Sequence, residues 1–206
     1  RSPKWLFTIR KIGRSTDERS LISSILPFVG AGDSINLIKY TPKNLYKFSV
    51  LYGNLTALVI DYVVREKIGG MNLNLFYVKQ FPVLAPNQYN LRDYCYIIPR
   101  IIELTYTSNS MRPWAEDVYN SAPEEVKAEI LRFCNVSIGP EGLFKPFIFN
   151  PDRRVTLRAE LDAYYAKLYG LTRDELRYVL DPADVMGEDY PSETFRVLKE
   201  NEIAKY

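Results

Sequence analysis

The side chains best suited to chemistry in this 206-residue chain are basic and amide groups gathered around two turns. Arg10, Lys11, Arg14 and Arg19 flank the polar turn Gly13-Arg-Ser-Thr-Asp-Glu18. Asn72, Asn74, Lys79 and Gln80 follow the double glycine Gly69-Gly70, with Lys67 just before it. Arg and Lys reach phosphates or guanine edges, and Asn and Gln pair bidentately with adenine. Tyr40, Phe76 and Tyr77 lie among these groups, and aromatic faces stack on displaced bases, although such residues more often fill a core. The grouping points to nucleic-acid binding. Its competitor is a solvated surface without a ligand.

Other chemistries find little support. The chain has no histidine, which removes the commonest general base and metal ligand and every Ser/His or Cys/His arrangement. Cys95 and Cys134 make neither a disulfide framework nor a metal-ligand spacing, so a reducing, cytoplasmic setting is expected. Asp61 and Arg65 stand one helical turn apart and read as a helix-surface ion pair rather than an acid–base dyad. Carboxylates crowd 116–129 and 174–193 without a metal-site spacing, and Glu124-Glu-Val-Lys127 suits the first turn of a helix, where acids favour the macrodipole. Phe28-Val-Gly-Ala-Gly-Asp33 superficially matches the glycine loop of methyltransferases, but that loop must follow a buried strand and open a helix. Here Pro27 closes the strand before it and Ser34-Ile-Asn-Leu-Ile resumes a strand pattern, so a hairpin turn is expected. No Asn/Asp-Pro-Pro-aromatic tetrapeptide occurs, so this segment is not expected to be a methylating domain or an enzyme by itself.

The elements that must position the two turns follow from periodicity. Trp5–Ile12 alternates, Arg19–Pro27 reads as a second strand and Ser34–Tyr40 as a third, which together suggest a small antiparallel β-meander. Pro42 opens a long helix with Leu45, Phe48, Tyr52, Leu55, Val59 and Tyr62 on its buried face, tolerating Gly53 and stopping at Gly69-Gly70. Leu73–Val83 looks extended. Beyond it, Leu91–Tyr106 is a helix that Pro99 should kink or split. Ser121-Ala-Pro-Glu124 and Thr172-Arg-Asp-Glu175 read as capping boxes for helices to Phe133 and Leu180. Between them Pro151–Tyr169 is a helix closed by Gly170, with Leu157, Leu161, Tyr164 and Leu168 on one face, and Ser192 caps a last helix. The fold class expected is therefore α+β.

Apolar content of 47% and charged content of 25% are those of a soluble globular chain, and no apolar run is long enough to span a bilayer. Net charge is only +2, but residues 1–90 carry 12 Lys/Arg against 5 Asp/Glu while residues 91–206 carry 15 against 20. A polyanion would thus meet the first half. This suggests a basic, β-rich recognition subregion at 1–90 and an acidic helical one at 91–206, sharing one continuous domain.

Three motifs carry a resemblance to a known family. Thr16-Asp-Glu-Arg19-Ser followed by Ile25-Leu-Pro27 resembles the opening of the target-recognition region of certain adenine-N6 DNA methyltransferases. Asp17 and Ser20 stand there in place of that pattern's usual Asn and Thr. Asn54…Asp61-Tyr-Val-Val-Arg65-Glu-Lys-Ile-Gly-Gly70…Leu73-Asn…Gln80-Phe-Pro82 is similar to the helix and strand of the same region. Arg158-Ala-Glu-Leu-Asp-Ala-Tyr-Tyr-Ala-Lys-Leu-Tyr-Gly-Leu-Thr-Arg-Asp-Glu-Leu-Arg-Tyr-Val-Leu-Asp181 is similar to their C-terminal helical signature. These are the type IIG-like restriction–modification and phage-exclusion enzymes. The resemblance implies a C-terminal part of a larger enzyme that binds duplex DNA without catalysing anything itself. Its parent chain would contribute the methyltransferase catalytic domain and S-adenosylmethionine, with no cofactor in this segment. On this reading Arg10, Arg14, Arg19, Lys67 and Lys79 hold phosphates, while Asn72, Asn74 and Gln80 read bases. The alternative is a protein-interaction module that docks a helicase or nuclease partner.

Overall fold

A computed structural model describes residues 4–13, 19–39, 44–68, 72–140 and 142–180. Arg14, Tyr40, the Gly69-Gly70 helix stop, the carboxylates of 181–193 and the helix expected after Ser192 lie outside the described residues. The fold is α+β, with a three-stranded antiparallel sheet followed by a mainly helical chain.

Alternation places Trp5, Phe7 and Ile9 of β1 (Trp5–Arg10) in the core. β2 (Ser23–Pro27) and β3 (Ile35–Ile38) both pair antiparallel with β1, so that Phe7 faces Ile25 on one side and Ile38 on the other. The strand order is β2-β1-β3, not that of a meander. Phe28–Ser34 is accordingly a connection across the sheet between two parallel outer strands, rather than a hairpin turn. The reason lies in β1, which has buried residues on both faces and is exposed only at Arg10, its last residue. Its opposite face includes Thr8, also buried, whose hydroxyl donates to the Ser24 carbonyl at 3.0 Å and whose carbonyl accepts from Ser23 Oγ at 3.1 Å. A strand with buried residues on both faces belongs at the centre, whereas β3 leaves Leu37 exposed and suits an edge.

The chain forms two compact units, and each draws on both sides of residue 90. The first comprises the described parts of Arg1–Lys11, Ser23–Leu55 and Val83–Phe149. In it the sheet is accompanied by α1 (Tyr46–Thr56), α4 (Leu91–Thr105), α5 (Arg112–Ser121) and α6 (Glu124–Phe133). Trp5 meets Trp114 edge-on at 4.7 Å, and each indole N–H finds an acceptor, Asp117 Oδ2 and Thr105 Oγ1 respectively, both at 2.9 Å. Buried tryptophans thereby keep their polar edges satisfied. α4 runs unbroken through Pro99. A proline inside a helix costs about 3 kcal/mol, but Ile97, Ile98, Ile101 and Ile102 are all fully buried, at roughly 1.5–3 kcal/mol each. Packing wins. α6 has the expected bounds but not the expected cap: Ser121 Oγ donates to the Asp117 carbonyl and accepts the Tyr46 amide instead.

The second unit comprises the described parts of Ile12–Ile22, Thr56–Pro82 and Asn150–Tyr206. It holds α2 (Leu58–Lys67), the single helical turn α3 (Leu75–Val78), α7 (Pro151–Leu168) and α8 (Arg173–Leu180). The long helix expected from Pro42 is thus two helices, broken where Ala57 turns extended (ψ 142°). The buried residues of α1 are Ser49, Val50, Gly53, Asn54 and Leu55, while Phe48 and Tyr52 are only half-buried. Asn54 explains part of that rotation, since its Oδ1 accepts the Leu84 amide at 2.8 Å. α7 begins under an Asn150 cap on the Arg153 amide and ends where Gly170 takes φ +74°. That left-handed residue lets Gly170 N and Leu171 N close on the Lys167 and Ala166 carbonyls. The Thr172–Glu175 box forms as expected. Among the described residues, no single helix is long and apolar enough to cross a membrane.

Candidate nucleic-acid interface

The segment after α2 is fixed at both ends and exposed in the middle. Asn72 forms an antiparallel bridge with Ile12, and the next residue, Leu73, is buried. At the far end Phe81 is buried and the Pro82 carbonyl accepts the Tyr169 hydroxyl at 2.7 Å. Between these anchors the chain does not stay extended, as its sequence suggests. The Tyr77 and Val78 amides close back on the Asn74 carbonyl and start α3. One short turn places Asn72, Asn74, Lys79 and Gln80 at the surface together, with Lys67 exposed at the end of α2. Gln80 Nε2 donates to the Phe76 carbonyl at 3.2 Å, and Tyr77 meets the Phe76 ring edge-on at 5.7 Å. Leu75 and Phe76 are 59% and 71% exposed. No acidic residue lies between Glu66 and Asp93. The surface therefore offers cations, amide donors and acceptors, and an aromatic face, without nearby carboxylates of its own segment to repel a polyanion.

A buried ionic network supports this turn from within the same unit. Asp61, 1% exposed, accepts the Leu21 amide and Arg65 Nε, both at 2.7 Å. Asp162, 2% exposed, accepts the Leu58 amide at 2.5 Å and Arg19 Nη2 at 3.0 Å. The Asp61–Arg65 pair is thus interior, not a helix-surface pair. Arg19, expected on a phosphate, points inward, because a carboxylate this buried requires a compensating cation and donors. Ionic and capping bonds tie 19–21, α2 and α7 into one scaffold.

Of the remaining expected contacts, Arg10 is exposed at the end of β1 and Lys11 pairs with Asp33 at 3.0 Å, both in the first unit. The second unit brings together Asn72, Asn74, Lys79 and Gln80 on one turn. Sequence reasoning missed the Asp162 cap; its one local signal is that Ala57, at the start of α2, has no side chain able to cap it. No group of His, Cys, Asp and Glu among the described residues could hold a metal ion. No protein-family model, curated protein or solved structure matches the chain.

Proposed function

We propose that this chain binds duplex DNA as the target-recognition part of an adenine-N6 DNA methyltransferase of a restriction–modification or phage-defence system. The observation that carries the DNA reading is the anchored turn from Asn72 to Gln80, which exposes Lys79, two asparagines and a glutamine in a stretch free of acidic residues. Lysines at such a turn neutralise phosphates, and the amides have the donor–acceptor pairs that base edges require. The methyltransferase setting rests on the motif resemblance, chiefly that of 158–181; S-adenosylmethionine and the catalytic groups would belong to the parent's methylating domain.

The test is anisotropy of a labelled mixed-sequence duplex titrated at several salt concentrations. Binding should weaken with salt at a slope of roughly −0.9 per phosphate neutralised. A chain that fails to bind at low salt does not have this function. A second reading, a protein-interaction module for a helicase or nuclease partner, draws on Ile148, 94% exposed in the segment after α6. Capture of such a partner that is lost in Ile148→Asp, without DNA binding, would favour it.

A further inference from the structure

The exposed Leu75–Phe76 pair is not accounted for by phosphate or base-edge contacts. Solvent-facing aromatics cost nothing unusual when scattered singly. These two are adjacent, they stand on a turn anchored at both ends, and the residues around them are those that favour a polyanion. Leu73 and Phe81 are buried on either side, and the Ile12–Asn72 bridge and the Tyr169–Pro82 bond hold the chain beyond them. Tyr77 braces the Phe76 ring edge-on, so the ring is supported on one side and open on the other. Lys79 and the Asn74 and Gln80 amides lie within four residues of it.

From this geometry we propose that Phe76, with Leu75 beside it, is a wedge that inserts between stacked bases of bound duplex DNA and opens the step. Charge complementarity selects the occupant: an apolar tip flanked by Lys79 and the Asn74 and Gln80 amides, in a stretch without acidic residues, suits a groove lined by phosphates better than an apolar protein surface, which would bury those polar groups. Apolar wedges unstack a base step and kink the duplex, and extrusion of a target nucleotide is easiest where stacking is already weakened. The proposal rests on the DNA-binding reading and assigns one of its steps to a pair of side chains.

Two duplexes test it, one fully paired and one identical except for a central mismatch, with 2-aminopurine beside the central step in each. The intact chain should bind the mismatched duplex about tenfold more tightly, because less stacking remains to be broken. It should also brighten 2-aminopurine in both. In Phe76→Ala, an exposed change that should leave the melting temperature unaltered, salt-dependent binding persists while the preference and the brightening are lost. Phe76→Trp keeps both. Salt-dependent binding by the intact chain with no brightening and no preference overturns the wedge and leaves the DNA reading standing. Unchanged brightening in Phe76→Ala also overturns the wedge. An absence of binding to either duplex overturns both readings.

Discussion

Asp162 Oδ1 accepts the backbone N–H of Leu58 at 2.5 Å, so a carboxylate 104 positions away caps α2 where its own preceding residue, Ala57, has no side-chain acceptor. The same carboxylate takes Arg19 on its other oxygen. A single side chain thereby joins three stretches of the second unit, including the helix that leads to the exposed turn.

That double role predicts unequal losses at one position. Asp162→Ala removes both the cap and the ion pair with Arg19, and should cost roughly 3–5 kcal/mol, the range for breaking a buried pair. Asp162→Asn keeps an acceptor for Leu58 but not the charge, and should cost about 1–3 kcal/mol. Urea unfolding of the two variants measures both. Equal losses would show that the cap contributes nothing.

Gly13 should resist substitution for a reason of space. A Cβ built there would stand 2.2 Å from the Ser20 carbonyl oxygen, a backbone atom that a rotamer change cannot move. Gly13→Ala should therefore destabilise by about 1–3 kcal/mol. Because Ile12 bridges Asn72, it should also weaken DNA binding. Gly32 provides the control. Nothing lies within 4 Å of its Cβ position, so Gly32→Ala should be neutral or stabilise by up to about 1 kcal/mol through the unfolded chain. Thermal melts of the pair decide the matter.

The start of α8 should respond to acid. The Thr172 backbone N–H, and after it the Thr172 hydroxyl, hold the Glu175 carboxyl below its usual range. A depressed folded value means that the cap is fully formed above the unfolded carboxylate pKa of about 4.3 and is lost as pH falls through the lower folded value. The Thr172 amide shift, followed by NMR, should titrate with a midpoint below that of a free glutamate. Thr172→Val, which keeps the larger backbone contribution, should raise the midpoint only part of the way back. A wild-type midpoint in the ordinary range would contradict the box as a stabilising device.

What could be read from sequence was whatever neighbouring residues decide. The alternation of Trp5, Phe7 and Ile9, the Gly170 stop and the Thr172–Glu175 box are local, and each has its expected counterpart in the structure. Partner choice is not local. Nothing near Ser23 or Ile35 says that both strands flank β1, and nothing near Ala57 says that Asp162 will cap the next helix. The candidate site divides in the same way. Polarity alone forecast exposed Asn72, Asn74, Lys79 and Gln80, whereas Arg19 looked equally polar and turned inward to a carboxylate 143 positions distant. Phe76 stood between two readings for a different reason, because an aromatic residue can stack on a base or fill a core and only tertiary packing decides which.

The last prediction separates grip from reading. If Lys67 and Lys79 neutralise phosphates, Lys67→Ala and Lys79→Ala should each flatten the slope of log K against log salt by about 1 and weaken all duplexes alike. If Asn72, Asn74 and Gln80 address base edges, alanine at any of them should leave that slope unchanged and instead alter which sequences are preferred, by roughly 1–3 kcal/mol at the affected base pair. Selection of tight binders from a randomised duplex pool, followed by salt titration of the recovered sequences, measures both quantities on the same variants. Gln80 gives the sharpest case, because its Nε2 already donates to the Phe76 carbonyl. Gln80→Glu replaces that donor with an anion beside Lys79. It should weaken every duplex, whereas Gln80→Ala, which loses the same donor without adding a charge, should leave the salt slope unchanged and shift preference. Identical effects from the two changes would mean that Gln80 supports the turn and reads no base.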